Sequence, residues 1–280
     1  MVYRDHWALT QWYRHFAAQL GAENLYVVAH GQDSDIARIC PGASIITIPR
    51  NDLSGFDARR SRLLNGIQSG LSQIYDWVIR TDADELICHD PDRHASLYAA
   101  LADCDAPAVF ALGLNLIAFD DDPEPRADSP WFTWRNAVFS GHYSKAFAVG
   151  GTTPLWLHGF WATRRKIETV PFLMPRGLYL VHLKYANRLA LADANAHRYE
   201  IAHTGLKGAP GRSWRNPESR ARQAVERAQD RPLRDWAEAE TEAYGEISTS
   251  PTRDIERGLL RARYVDPPYR TWLPDRLTGQ

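Results

Sequence analysis

Asp82, Asp84 and Glu85 follow the apolar run Trp77-Val78-Ile79 in the stretch YDWVIRTDADEL. Residues two apart in extended backbone leave on the same face, so Asp82 and Asp84 read as a carboxylate pair. Such a pair suits a divalent cation, and a cation so held recruits phosphate oxygens. The run before it favours β structure and reads as a buried central strand. Desolvating even one unpaired carboxylate costs several kcal/mol, so the acids must sit where that strand leaves the core. In open α/β sheets, this carboxyl-end edge is where ligands bind. A lone D-x-D also arises by chance in acidic loops; the amphipathic helix and apolar strand directly ahead of this one sharpen the reading.

Other residues offer chemistry with less context. His158 and His182 each close a short apolar run, LWLH and LYLVH, and suit either a metal ligand or a structural hydrogen bond. Arg59, Arg60 and Arg62 fall in the first turns of a helical stretch, where positive charge opposes the helix dipole. They are either solvated surface charges or a phosphate contact, for which the guanidinium fork is well shaped. Trp131, Trp134, Trp156 and Trp161 cluster in the second half, as core or as stacking surfaces for sugar rings.

The elements that must position these residues follow from periodicity. Residues 5–20 carry Leu9, Trp12, Tyr13, Phe16 and Leu20 at helical spacing. LYVVA at 25–29 and IITI at 45–48 read as strands, with a short helix between them at 33–39. A third helix from Asp57 presents Leu63, Leu64, Ile67, Leu71 and Ile74 on one stripe. This alternation predicts a mainly parallel sheet with right-handed crossovers. Beyond it, a helix is expected at 92–101 and a strand at 108–112. An acidic loop at 120–130 comes next, followed by three apolar runs that read as strands. The stretch 217–244 reads as one or two surface helices broken near Pro232, and the rest as an irregular tail. The expected division is 1–210 and 211–280.

Lys and Arg number 33 against 34 Asp and Glu, so the chain lacks the basic excess of a general nucleic-acid binder. Cys40, Cys88 and Cys104 are widely spaced and form no disulfide or zinc pattern, as in a reducing compartment. Charges interrupt the N-terminal stretch where a signal peptide needs an apolar run, and no stretch reaches membrane-spanning length. The expectation is a cytoplasmic protein.

RDHWALTQWYRHFAAQLGAENLYVV, the polar turn after it and YDWVIRTDADEL resemble glycosyltransferase family 2, in the branch with a D-W-x-x-x-x-D-x-D-E signature. The resemblance covers roughly residues 3–90 and, more weakly, 140–190. It implies the GT-A fold, a nucleotide-binding α/β sandwich, here with a helical extension from 211. It also implies inverting transfer of a sugar from a nucleotide donor, UDP-linked for preference, to a glycan or other hydroxyl acceptor, with Mn²⁺ or Mg²⁺. Residue by residue, the resemblance makes Asp82 and Asp84 the metal- and ribose-facing pair and Glu85 the acid that follows them. His182 completes the metal site, Asp33 contacts the base and Arg59 meets phosphate. No motif identifies the catalytic base; Asp120, Asp121 and Asp122 are candidates by position, with Asp121 at their centre.

The family opens with a strand before the R-D-H helix, where this sequence has only Met1-Val2-Tyr3, so upstream coding sequence for one apolar strand is expected. Two other classes stay open. One is a non-catalytic glycan- or nucleotide-binding protein on the same fold. The other is a haloacid-dehalogenase-type phosphohydrolase, which wants threonine where Leu86 stands.

Overall fold

The computed structural model describes residues 1–123, 125–126, 128–203 and 214–279. Helix α1 (His6–Leu20) buries Ala8, Leu9 and Phe16, and Gly21 closes it with φ 82° and an N–H to the Ala17 carbonyl. Strand β1 (Tyr26–His30) pairs in parallel with β2 (Ser44–Ile48) across α2 (Ser34–Ile39), the crossover that the alternation predicts. Helix α3 (Phe56–Leu71) then leads to β3 (Trp77–Ile79).

From β3 onward the chain departs from the expected plan. A tight turn joins β3 to β4 (Glu85–His89), and a short helix α4 (Leu97–Ala102) precedes β5 (Ala108–Phe110) and β6 (Leu112–Ile117). Strands β7 (Asn136–Phe139), β8 (Ala146–Gly150), β9 (Leu155–Trp156), β10 (Gly159–Trp161) and β11 (Leu178–Tyr185) follow with no α-helix among them. Helices α5 (Arg188–Ala202), α6 (Pro217–Gln229) and α7 (Trp236–Ser248) come next, then β12 (Thr252–Asp254), β13 (Leu259–Arg261) and β14 (Thr271–Trp272).

The structure is mixed α/β, with four sheets among the described residues: β1-β2, β3-β8-β5, β14-β7-β6-β11-β4 and β12-β13-β10-β9. Among the described residues only β1–β2 and β6–β11 run parallel, so the expected mainly parallel sheet is not found. Parallel pairing needs a long crossover, and the helix-free stretch from β5 to β11 supplies mostly short connections, which favour antiparallel neighbours. Nor is Trp77–Ile79 a central strand. It is the edge of its three-stranded sheet, antiparallel to β8, with Trp77 and Ile79 only half-buried.

The segment read as an irregular tail is knitted into the fold. Strand β13 pairs with β10, β14 pairs with β7, and the Arg276 guanidinium spans both oxygens of the buried Asp90 carboxylate at 3.0 and 3.1 Å. Leu273 and Leu277 belong to the same core as Phe16, Leu86 and Phe147.

A cavity of about 690 Å³ separates β1 from β3. Trp12 and Phe16 of α1, Ile67 and Leu71 of α3, and residues of both strands line it. Next to Met1, which also lines the cavity, Val2 forms a single parallel bridge to Ala29, donating to the Val28 carbonyl and accepting from His30 N–H.

Candidate active site

Strand β11, LYLVHLKY, lies between β6 and β4, so both its edges are paired, and its apolar run is buried on both faces from Leu178 to Leu183. His182 is the polar exception. The register sets it opposite Glu85 on β4 and Asn115 on β6. Its ring is 3% exposed. Nδ1 donates to Asn115 Oδ1 at 2.7 Å, which leaves Nε2 facing Asp84 Oδ2 at 3.4 Å. Metal-binding histidines characteristically give their second N–H to a carbonyl or carboxylate in this way, fixing the tautomer.

Asp84 reaches that position because the chain turns. Glu85 N–H donates to the Asp82 carbonyl at 3.1 Å, closing a turn over Ala83 and Asp84. The extended backbone expected for D-x-D is therefore absent, and the two aspartates diverge. Asp82 turns to the Arg60 guanidinium, while Asp84 turns to His182. Glu85 opens β4 as a buried residue. It is paired with the Lys145 ammonium and also accepts from Asp82 N–H at 3.2 Å.

The balance of charge singles out Asp84. Asp82 has Arg60 and Glu85 has Lys145, but no Lys or Arg side chain lies within ion-pair distance of Asp84 among the described residues. Burial pushes the Asp84 carboxyl up, yet the His182 imidazolium that forms at low pH outweighs it, helped by the field of Arg198, and holds it at about 2. Burial holds His182 below the usual imidazole range despite Asp84, so the ring is neutral at pH 7. An ionised carboxylate oxygen and a neutral imidazole nitrogen 3.4 Å apart suit a shared cation. Ligand atoms bound at about 2.0–2.6 Å stand roughly 3 to 3.6 Å apart at right angles. Asp84, Glu85 and His182 each place one donor atom within 4.8 Å of the others. Asp82 lies outside that group, and the Lys145 contact on Glu85 leaves Asp84 and His182 as the pair best disposed to bind.

Tyr143 covers the site, its ring stacked on His182 with centroids 3.8 Å apart. Gly113 makes this approach possible. A Cβ there would lie 2.1 Å from the Tyr143 backbone carbon, so any other residue would lift the 141–144 turn off β6. Burial pulls the Lys145 ammonium down, but the carboxylates of Glu85, Asp82 and Asp84 outweigh it and hold the group above the ordinary lysine value.

The remaining sequence-derived residues stand apart from this centre. Asp33 caps α2, accepting from Asp35 N–H at 3.0 Å and from His6 Nε2 at 2.7 Å. Arg59 is exposed and tied to Asp52 at 2.6 Å; its neighbour Arg60 is the arginine that reaches the acidic turn. Asp121 accepts from Gln229 of α6 at 3.1 Å, in a loop that Arg188 of α5 holds through the Phe119 and Asp122 carbonyls. His158 lies in the β9–β10 turn. The 690 Å³ cavity reaches Arg80 and Thr81 but none of Asp82, Asp84, Glu85 or His182.

Sequence reasoning passed over Asn115, Tyr143, Lys145 and Arg198. Only Asn115 carried a readable signal, as a lone amide within the apolar run LGLNLI. Compared with family models, with curated proteins and with solved structures, the chain gives no match.

Proposed function

We propose that the chain is a metal-dependent glycosyltransferase on a GT-A-type scaffold, moving a sugar with inversion from a nucleotide donor, UDP-linked for preference, to a carbohydrate hydroxyl. The observation that carries this reading is the Asp84–His182–Asn115 array, two residues past the start of an acidic turn at a strand end. Mn²⁺ or Mg²⁺ held by Asp84 and His182 would neutralise the donor diphosphate and stabilise the departing nucleotide.

The chain's own residues have the following roles. Asn115 fixes the His182 tautomer. Arg60 and Lys145 hold Asp82 and Glu85 in place, and add positive charge where phosphate would lie. Asp82 faces the ribose, and Asp33 and Arg59 serve the base and phosphate ends of the donor. Asp121 is the candidate to take the acceptor's proton.

The second reading, a protein on this scaffold that binds nucleotide or glycan without transfer, draws on the Arg60–Asp82 ion pair, which occupies one of the two D-x-D carboxylates. Turnover separates the two. Mn²⁺-dependent release of UDP from a panel of UDP-sugars, abolished in Asp84→Ala, is the expected result. Binding of UDP and Mn²⁺ with no release from any donor would leave only the second reading. Among the described residues no helix is long and apolar enough to cross a membrane.

A further inference from the structure

Strands β9 and β10 pair with Gly159 opposite Trp156, leaving the two residues Leu157 and His158 as the whole turn. Both have positive φ, 44° and 68°. Two central residues with φ > 0 define the type I′ hairpin turn, whose preferred sequences are Asn-Gly, Asp-Gly and Gly-Gly. A γ-branched leucine is poorly suited to the first of these positions, whereas histidine, like asparagine and aspartate, is among the residues that adopt them more readily. Strain of this kind persists where the surroundings over-determine it, and it gathers at ligand sites.

The turn presents His158 to a run of rings that begins at the metal-site candidate. Tyr143 stacks on His182, and His158 lies nearly parallel to Tyr143 with centroids 6.2 Å apart. His142 meets the His158 ring at 4.2 Å and the Tyr264 ring at 5.1 Å. His158 Nδ1 donates to the His142 carbonyl at 2.7 Å, so Nε2 of the neutral ring is an acceptor. His142 is exposed, as are Leu157 and Tyr264 at 49% and 40%. Arg261 covers one face of Tyr264 at 3.8 Å and His182 one face of Tyr143, so the surface offers the remaining ring faces with a few fixed polar atoms between them. A pyranose, with C–H groups on its faces and hydroxyls at its rim, complements that combination.

We propose that Tyr143, His142, His158 and Tyr264 form the acceptor subsite, a stacking surface for one pyranose ring on which His158 Nε2 receives a hydrogen bond from a sugar hydroxyl. Naming the occupant an acceptor rests on the transferase reading; the sugar surface itself does not. The turn keeps His158, where a type I′ turn prefers glycine, because this surface needs it, at the expense of local backbone stability.

The test compares the full chain with Leu157→Asn/His158→Gly, which installs the preferred turn, and with Tyr264→Ala. The probes are methyl glycosides of glucose, galactose, mannose and N-acetylglucosamine at millimolar concentration, read by saturation-transfer NMR. Wild type should show transfer from at least one glycoside, and both variants should lose it. The turn variant should melt a few degrees higher than wild type, as relief of backbone strain requires. Transfer from none of the four, survival of transfer in both variants, or a lower melting temperature for the turn variant would overturn the proposal. Adding UDP and Mn²⁺ in a parallel thermal scan keeps the two readings apart. Sugar transfer without a nucleotide shift removes the transferase and retains the sugar surface, whereas a nucleotide shift without sugar transfer removes the subsite alone.

Discussion

Replacing Lys145 by methionine isolates the ion pair beneath the candidate site. Lys145 immediately precedes β8 and Glu85 opens β4, so their contact links the three-stranded sheet to the five-stranded one. The side chains are 12% and 4% exposed, so solvent screens the pair little. Methionine keeps the length of the stem and removes the charge, leaving the Glu85 carboxylate with Asp82 N–H. Breaking a buried pair from one side costs about 3–5 kcal/mol. The carboxylate can escape that cost by taking a proton. At pH 7, protonating a glutamate whose reference value is near 4.3 costs about 3.7 kcal/mol, at about 1.36 kcal/mol per pH unit. The loss is therefore capped near 3.7 kcal/mol at pH 7 and shrinks to about 1 kcal/mol at pH 5.

The wild-type lysine does not confound the comparison. A raised lysine value means stability that is fully present below the unfolded value and lost only as pH rises through the folded one, well above this range. Urea unfolding of both proteins at the two pH values measures the difference. By melting temperature the pH 7 loss is roughly 7–15 °C, at about 2–4 °C per kcal/mol for chains approaching this size. The neutral double variant Lys145→Met/Glu85→Gln should recover most of it, because the amide at 85 leaves no orphaned charge. A loss independent of pH, or a double variant no better than the single one, would refute the argument.

Asp84→Ala should abolish stabilisation by UDP with Mn²⁺, read by thermal shift, because it removes the one acid of the turn with no Lys or Arg partner. Asn115→Leu should weaken Mn²⁺ binding about 10- to 100-fold by freeing the His182 tautomer, measured by titration calorimetry; unchanged affinity would make Asn115 purely structural. Asp5 is pushed up to about 7 by burial and by Asp84. A raised carboxyl loses stability as pH climbs from the unfolded value to the folded one, so Asp5→Asn should melt a few degrees above wild type at pH 8 and level with it at pH 4.

How far the sequence could be read depended on whether the cause of a feature was local. Residues 5–48 and the helix from Asp57 formed close to where their periodicity put them, because capping, stripe spacing and short apolar runs act within a few residues. The pairing of Trp77–Ile79 did not, since its partner β8 lies some seventy residues away and nothing in three apolar residues specifies an edge or a direction. Asp84 and His182 were paired through the family resemblance, each after an apolar run, and the structure sets them 3.4 Å apart. Asp82 was expected beside them but diverges. Four residues decide between turn and extended strand, and the Arg60 that draws it away sits on a helix 22 positions earlier. Lys145 and Tyr143 were beyond reach because only the register of β8 and the bare Cα of Gly113 bring them over the site.

The gap between β1 and β3 has a colloidal consequence. Tyr26 and Val28 on one side and Trp77 to Ile79 on the other line it, with Val2 bonded to the β1 edge only at Val28 and His30, and the lining residues Ile74 and Tyr98 are 80% and 78% exposed. Edges paired only in part beside apolar side chains are templates for strands of other molecules, and no lysine or proline among the lining residues blunts them. Concentrated solutions should therefore lose protein through intermolecular strand pairing well below the melting point. Shelf life would then follow concentration more closely than temperature, and a single lysine placed at Val28 or Val78 should lengthen it even while lowering the melting point.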